Sequence, residues 1–222
     1  MNAAVVVGVA GKCCAGKDEV TAWLRARGWR EVNVDRIGHE ALEAQRDRIV
    51  EQFGEQVLAE DGTIDRGTLG TLVFRDAAQR RALEAIVHPW MRSRVREVVD
   101  RFRADAGTHH RWLTDDTGVV APFPEGAPGP GLVINAALLF PMQLDRLCDV
   151  VLLVTAPLHK RLVRAYRRDG LTARRIFLRL LAQRGLDTQA YRSPAETITV
   201  ENAQSREALY RRLESLETFH DG

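Results

Sequence analysis

The chain has 222 residues, 45% of them hydrophobic and 28% charged, which is a globular composition with room for a sizeable core. Its net charge of +2 is too small to suggest a nucleic-acid partner, and no run of about 18 apolar residues suggests a membrane span. Three cysteines, two of them adjacent, make neither a disulfide framework nor metal-ligand spacing, so a reducing cytoplasm is the expected compartment.

Residues 3–9 read as a short strand buried on both faces of a parallel sheet, and lead into a glycine loop rather than a signal-peptide cleavage site. Val20, Trp23 and Leu24 then recur at helical spacing, with Gly28 as a stop. Residues 31–34 predict a second strand that delivers Asp35 at its carboxyl end. A helix over 36–53 follows, with Ile37, Ala41, Leu42, Ile49, Val50 and Phe53 on its apolar side. Residues 66–104 predict two or three helices, broken at His88-Pro89 because Pro suits a first turn. The Pro/Gly-rich stretch 105–131 reads as a loop. Residues 131–140 and 149–155 predict two more buried strands, 157–169 and 172–183 two helices, 197–201 a last strand and 203–217 a last helix. Strands alternating with helices argue for an α/β fold with a parallel sheet.

Only three of the 32 basic residues are lysines, and two of these lie in Gly11-Lys12-Cys13-Cys14-Ala15-Gly16-Lys17. The spacing Gly-x-x-x-x-Gly-Lys after a buried strand is that of a phosphate-binding loop. Backbone N–H groups of such a loop converge on phosphate oxygens, and the following helix N-terminus adds favourable partial charge. Lys17 then reaches the β- and γ-phosphates. Lys12 either adds a second cation or projects into solvent, and Cys14 must accept whatever backbone angles the loop imposes. Asp18 stands where a Ser or Thr hydroxyl normally holds magnesium. It can ligate Mg²⁺ itself or simply cap the helix.

Asp35, at a strand end beside the loop, fits a general base for an attacking hydroxyl, or an N-cap for the next helix. Arg161, Arg164 and Arg168 fall on one helical face, where like charges need an anion or solvent between them. Phosphoryl transfer needs such cations around the migrating group, and a closing lid supplies them.

These features together resemble the dephospho-coenzyme A kinases over nearly the whole chain. The resemblance rests on the loop, Val32-Asn33-Val34-Asp35-Arg36-Ile37, Asp61-Gly62-Thr63-Ile64-Asp65-Arg66, the His88-Pro89 element, Leu138-Leu139-Phe140, Arg164-x-x-x-Arg168-Asp169-Gly170, and residues 198–202 ending in Asn202. It implies a three-layer P-loop NTPase-type parallel sheet flanked by helices. The core would span about 1–35 and 131–222, with a helical acceptor-binding cap at about 36–104 and a helical lid at about 158–184. It implies phosphorylation of the ribose 3′-hydroxyl of dephospho-coenzyme A, with ATP as donor and Mg²⁺ as cofactor. By this resemblance Asp35 is the base, and Lys17, Arg164 and Arg168 act on phosphate. Gly11, Lys12, Cys13, Cys14, Ala15, Gly16, Lys17, Asp18, Glu19 and Asn202 hold ATP, Asn202 near adenine. Asp18 holds the metal, and His88 and Asn135 lie on the acceptor side, with a helix-junction hydrogen bond as the other role open to His88.

The chain departs from the family pattern at Asp18, at Lys12 and Cys14 in place of Gly, at Asn135 and Pro141 in place of acidic residues, and in the length of 105–131. Two other functions fit the same residues: a non-catalytic nucleotide-binding relative, and a different small-molecule kinase on the same fold.

Overall fold

Val5–Gly11 forms strand β1, whose Val6, Val7 and Val9 are fully buried, as in a central strand of a parallel sheet. The other strands are β2 (Arg30–Asn33), β3 (Gly131–Asn135), β4 (Val150–Thr155) and β5 (Glu196–Glu201). They form one sheet in the order β2-β3-β1-β4-β5, with every pairing parallel. Chain direction reverses its sideways course at β1, between β3 and β4, so the carboxyl end of β1 is the switch point where such sheets take ligands. The computed structural model describes residues 5–105, 131–169, 190 and 192–216. The 106–130 stretch, and with it nearly all of the expected Pro/Gly-rich loop, lies outside them, as does the expected helix 172–183.

Two compact units divide the chain: Met1–Asn33 with Val98–Gly222, and Val34–Glu97. In the first, helices α1 (Lys17–Arg25), α6 (Leu158–Asp169) and α7 (Arg206–Glu214) accompany the sheet. Trp23 and Leu24 of α1, Val133 of β3, Leu152 of β4 and Leu209 and Leu213 of α7 share one apolar core. Burying each such side chain contributes roughly 1.5–3 kcal/mol, which is what fixes α1 to the sheet just after the loop. Ser205 caps α7 by accepting from Ala208 N at 3.3 Å.

The second unit holds α2 (Val34–Ala44), α3 (Arg46–Phe53), α4 (Arg66–Arg75) and most of α5 (Ala77–Asp105). The single helix expected over 36–53 is two, because Gln45 leaves the helical region at φ −110°, ψ 17°. Asp65 caps α4 through Gly67 N at 2.9 Å and Thr68 N at 3.2 Å. The expected break at His88-Pro89 is absent, and α5 runs unbroken through Pro89. Interior proline costs about 3 kcal/mol. Ile86, Val87, Met91 and Val95, all buried on either side of it, outweigh that. The chain breaks instead at Asp76, whose Oδ1 accepts from Ala78 N at 2.7 Å.

Strand β3 stops at Asn135, short of the expected 140. Leu138, Leu139 and Phe140 lie in a turn closed by Met142 N to Leu138 O at 3.0 Å and Leu144 N to Leu139 O at 2.9 Å. Leu139 and Phe140 are buried all the same, so their apolar run records core packing and not strand.

Candidate active site

The loop begins where β1 ends. Gly11 has φ +152°, and a Cβ there would lie 2.4 Å from Val154 O of the neighbouring strand. Gly16 has φ +107°, and its Cβ would lie 2.0 Å from Asn202 Nδ2. Both positions therefore exclude any side chain. Cys14 holds the left-handed region at φ 59° without being glycine, an outlier of the kind stored at functional sites. Ala15 N donates to Lys12 O at 3.0 Å and closes the turn, and α1 starts at Lys17.

Side chains distant in sequence hold the loop's carbonyls. Arg161 Nε donates to Cys13 O at 2.9 Å, and Arg164 Nη1 to Cys14 O at 3.4 Å and Ala15 O at 3.1 Å. Asn202 Nδ2 also donates to Ala15 O at 2.9 Å, while Arg164 Nη2 donates to Asn202 O and Oδ1 at 3.2 and 3.1 Å. The peptides are trans, so each C=O points opposite to the N–H of the next residue. Drawing the Cys13 and Ala15 carbonyls toward α6 and Asn202 thus turns the N–H groups of Cys14 and Gly16 the other way, as an anion cradle requires.

At the start of α1, Asp18 is exposed, and α1 has Gly16 as its N-cap with no side-chain cap bond. Asn135 Nδ2 donates to Asp18 Oδ1 at 3.5 Å and to Glu31 Oε1 at 3.1 Å. Carboxylates only accept, so the amide must present its nitrogen to both. Glu31 is buried and balanced by Arg25 Nη1 at 3.4 Å. Glu19 faces α7, where Arg206 grips it from Nε and Nη2, each at 2.9 Å.

Asp35 and His88 belong to the second unit. Helix α2 starts at Val34, so Asp35 sits inside its first turn and is not its cap residue. In the chain it follows β2 by two residues, and Asn33 of β2 pairs in register with Asn135. His88 is half-buried in α5, and burial holds its imidazole below the ordinary value of 6.5, with Glu84 opposing and Arg92 assisting. Arg168 belongs to α6, but its side chain lies outside the described residues.

Sequence reading missed the bracing role of Arg161 and the Glu31–Arg25 pair behind Asn135. Arg161 carried a signal, its place beside Arg164 on one helical face. Glu31 carried none, since an acidic residue in a short strand reads as exposed. Among the described residues no group of three or more His, Cys, Asp or Glu could hold a metal.

The sequence model of the dephospho-CoA kinase family, CoaE, matches residues 5–110. The dephospho-CoA kinase of Anaeromyxobacter dehalogenans is 35% identical over 207 residues, 92% of this chain and 86% of that protein. The chain belongs to the dephospho-CoA kinase family. It is therefore a kinase, a phosphotransferase with an alcohol group as acceptor. The Symbiobacterium thermophilum dephospho-CoA kinase is 31% identical over 85% of this chain and 71% of its own length. The crystal structure of TT1252 from Thermus thermophilus covers 99% of this chain and 100% of itself at a TM-score of 0.72 and 28% identity. The dephospho-CoA kinase from Campylobacter jejuni shares the fold at a TM-score of 0.55, with 17% identity over 96% of this chain and 95% of that one.

Proposed function

We infer that this kinase phosphorylates the ribose 3′-hydroxyl of dephospho-coenzyme A with ATP, giving coenzyme A and ADP, the last step of coenzyme A synthesis. The observation that carries this reading is the phosphate loop, in a chain of this family, with its carbonyls drawn back by Arg161, Arg164 and Asn202.

In this reading the N–H groups of Cys13, Cys14, Gly16, Lys17 and Asp18 and the Lys17 ammonium hold the donor's phosphates, while that of Ala15 closes the turn on Lys12 O. Phosphoryl transfer asks mainly for positioning and positive charge. Arg164 supplies both indirectly, by fixing the loop, while Arg168 serves the migrating group. Asn202 forms the adenine-side wall by bracing the loop, since its amide is already engaged there. Asp35 takes the proton of the 3′-hydroxyl as its oxygen bonds to the γ-phosphorus and the bond to the β-phosphate oxygen breaks. His88, kept neutral by burial, and Asn135 serve the acceptor.

The residues present fit a magnesium ion that keeps phosphate and water ligands. Asp18 offers one exposed carboxylate, and Mg²⁺ commonly takes only one or two. The two departures from the family pattern explain each other. A carboxylate expected at position 135 stands instead at Asp18, 3.5 Å from the Asn135 amide. Bound Mg²⁺ would draw negative charge from the phosphate oxygens; Asp18 would hold it, and Asn135 would keep Asp18 and Glu31 from repelling.

No described helix is long and apolar enough to cross a membrane. A coupled assay comparing dephospho-coenzyme A with adenosine and nucleoside monophosphates tests the reading. Turnover is expected with dephospho-coenzyme A alone. Preference for another acceptor would replace the substrate, and ATP binding without any turnover would leave a non-catalytic relative.

A further inference from the structure

Phosphate binding has no use for two adjacent thiols, yet Cys13 and Cys14 occupy the centre of the loop. Their Sγ atoms lie 3.6 Å apart, close enough for one to donate to the other. Both residues are half-buried, so small oxidants reach them. The third cysteine differs: burial, then the charges of Asp145 and Asp149, push the Cys148 thiol up to about 12, and it stays unreactive.

We propose that Cys13 and Cys14 form an oxidation-sensitive modification site whose closure to a disulfide switches off nucleotide binding; this rests on the reading of the loop as the cradle for ATP. The oxidant is a peroxide. Sulfur of one thiol attacks a peroxide oxygen, the O–O bond breaks, and a sulfenic acid and one water result. The second sulfur then attacks the sulfenic sulfur, forming S–S and expelling a second water. Two thiol hydrogens and two electrons are thus consumed in reducing one hydrogen peroxide to two waters.

Geometry couples that bond to the nucleotide. Adjacent trans residues have Cα atoms about 3.8 Å apart, below the roughly 4.4–6.8 Å usual for a disulfide. Closure must therefore distort the Cys13–Cys14 peptide. Its carbonyl is the one Arg161 holds at 2.9 Å, and its N–H is one of those turned toward the phosphates. Cys14 already sits at φ 59°, so the loop has little freedom to absorb the change elsewhere. A strained bond of this kind is also easily reduced, which makes the switch reversible.

The test treats the full chain with stoichiometric hydrogen peroxide, then measures ATP affinity and the mass of the 13–17 peptide released by cleavage after Lys12 and Lys17. The expected result is a 13–17 peptide lighter by two hydrogens, with ATP affinity about tenfold weaker or more, the loss of one or two charge-assisted hydrogen bonds. Dithiothreitol should restore both. Cys13→Ser and Cys14→Ser, each compared with its own untreated affinity, should keep that affinity after peroxide. A 13–17 peptide unchanged or carrying only added oxygen, a disulfide with unaltered ATP affinity, or variants that lose affinity as the parent does would overturn the proposal. An untreated chain that binds no ATP overturns the phosphate-loop reading as well, whereas one that binds ATP and ignores oxidation overturns the switch alone.

Discussion

Returning the carboxylate from Asp18 to position 135 probes the metal end of the site. In N135D alone, a second carboxylate would face Asp18 across about the 3.5 Å that now separates it from the amide. Coulomb's law gives that pair about 1 kcal/mol of repulsion in water and about 5 kcal/mol at an effective dielectric of about 20. Asp18 is exposed, so the lower end applies, about 1–2 kcal/mol. The same substitution takes from buried Glu31 the donor it now has at 3.1 Å, a hydrogen bond to a charged group worth about 1.5–3 kcal/mol. N135D should therefore lower stability by roughly 2.5–5 kcal/mol. Asp18→Ser alone removes the carboxylate and should raise the magnesium needed for half-maximal activity about tenfold, or 1.4 kcal/mol. At these two positions the double variant has one carboxylate and one hydroxyl, with the repulsion between them gone and the loss at Glu31 unchanged. It should regain about 1–2 kcal/mol relative to the sum of the single changes, read from magnesium titrations and thermal melts. Additivity to within about 0.5 kcal/mol in both measurements would refute the exchange.

Asp35→Asn should lower turnover by about 10²–10⁴-fold, the range for a lost general base, with ATP binding largely intact in a calorimetric titration. Arg164→Met releases Cys14 O and both Asn202 oxygens and leaves Ala15 O to the Asn202 amide alone, and should weaken ATP binding and lower the melting temperature together. Arg164→Lys should not rescue, because an ammonium cannot span acceptors on three residues as a planar guanidinium does. His88 titrates below its ordinary value in the fold, so the unfolded chain binds its proton more readily. The stability it contributes is complete above about pH 6.5 and declines as pH falls below that value. Melts of His88→Asn from pH 7.5 to 5 should show a shallower acid-side decline than the parent, and an identical decline would remove His88 from the explanation.

Most of the sheet was readable because its signals are local. Buried β1, the loop spacing and the strand-helix alternation each lie within a few residues of one another. The loop's two excluded side chains were also foreseeable, since Gly11 and Gly16 are the glycines its spacing demands. What holds the loop was not. Arg161 and Cys13 are 148 residues apart, and Asn202 and Ala15 are 187 apart, so only the closed sheet brings them together. Pro89 and residues 138–140 misled for one reason. A local preference, proline for a first turn or Leu-Leu-Phe for a strand, yielded to burial along α5 and in the turn after β3. Asp18 and Asn135 were visible as separate departures. Their relation appears only at 3.5 Å, because β1 and β3 run side by side with Val9 opposite Asn135.

The central claim is tested most directly by incubating the chain with γ-labelled ATP and dephospho-coenzyme A and locating the label in the product. Label in coenzyme A that a 3′-nucleotidase releases quantitatively is the predicted result. Label found only as inorganic phosphate, or on any other hydroxyl of the acceptor, would contradict it.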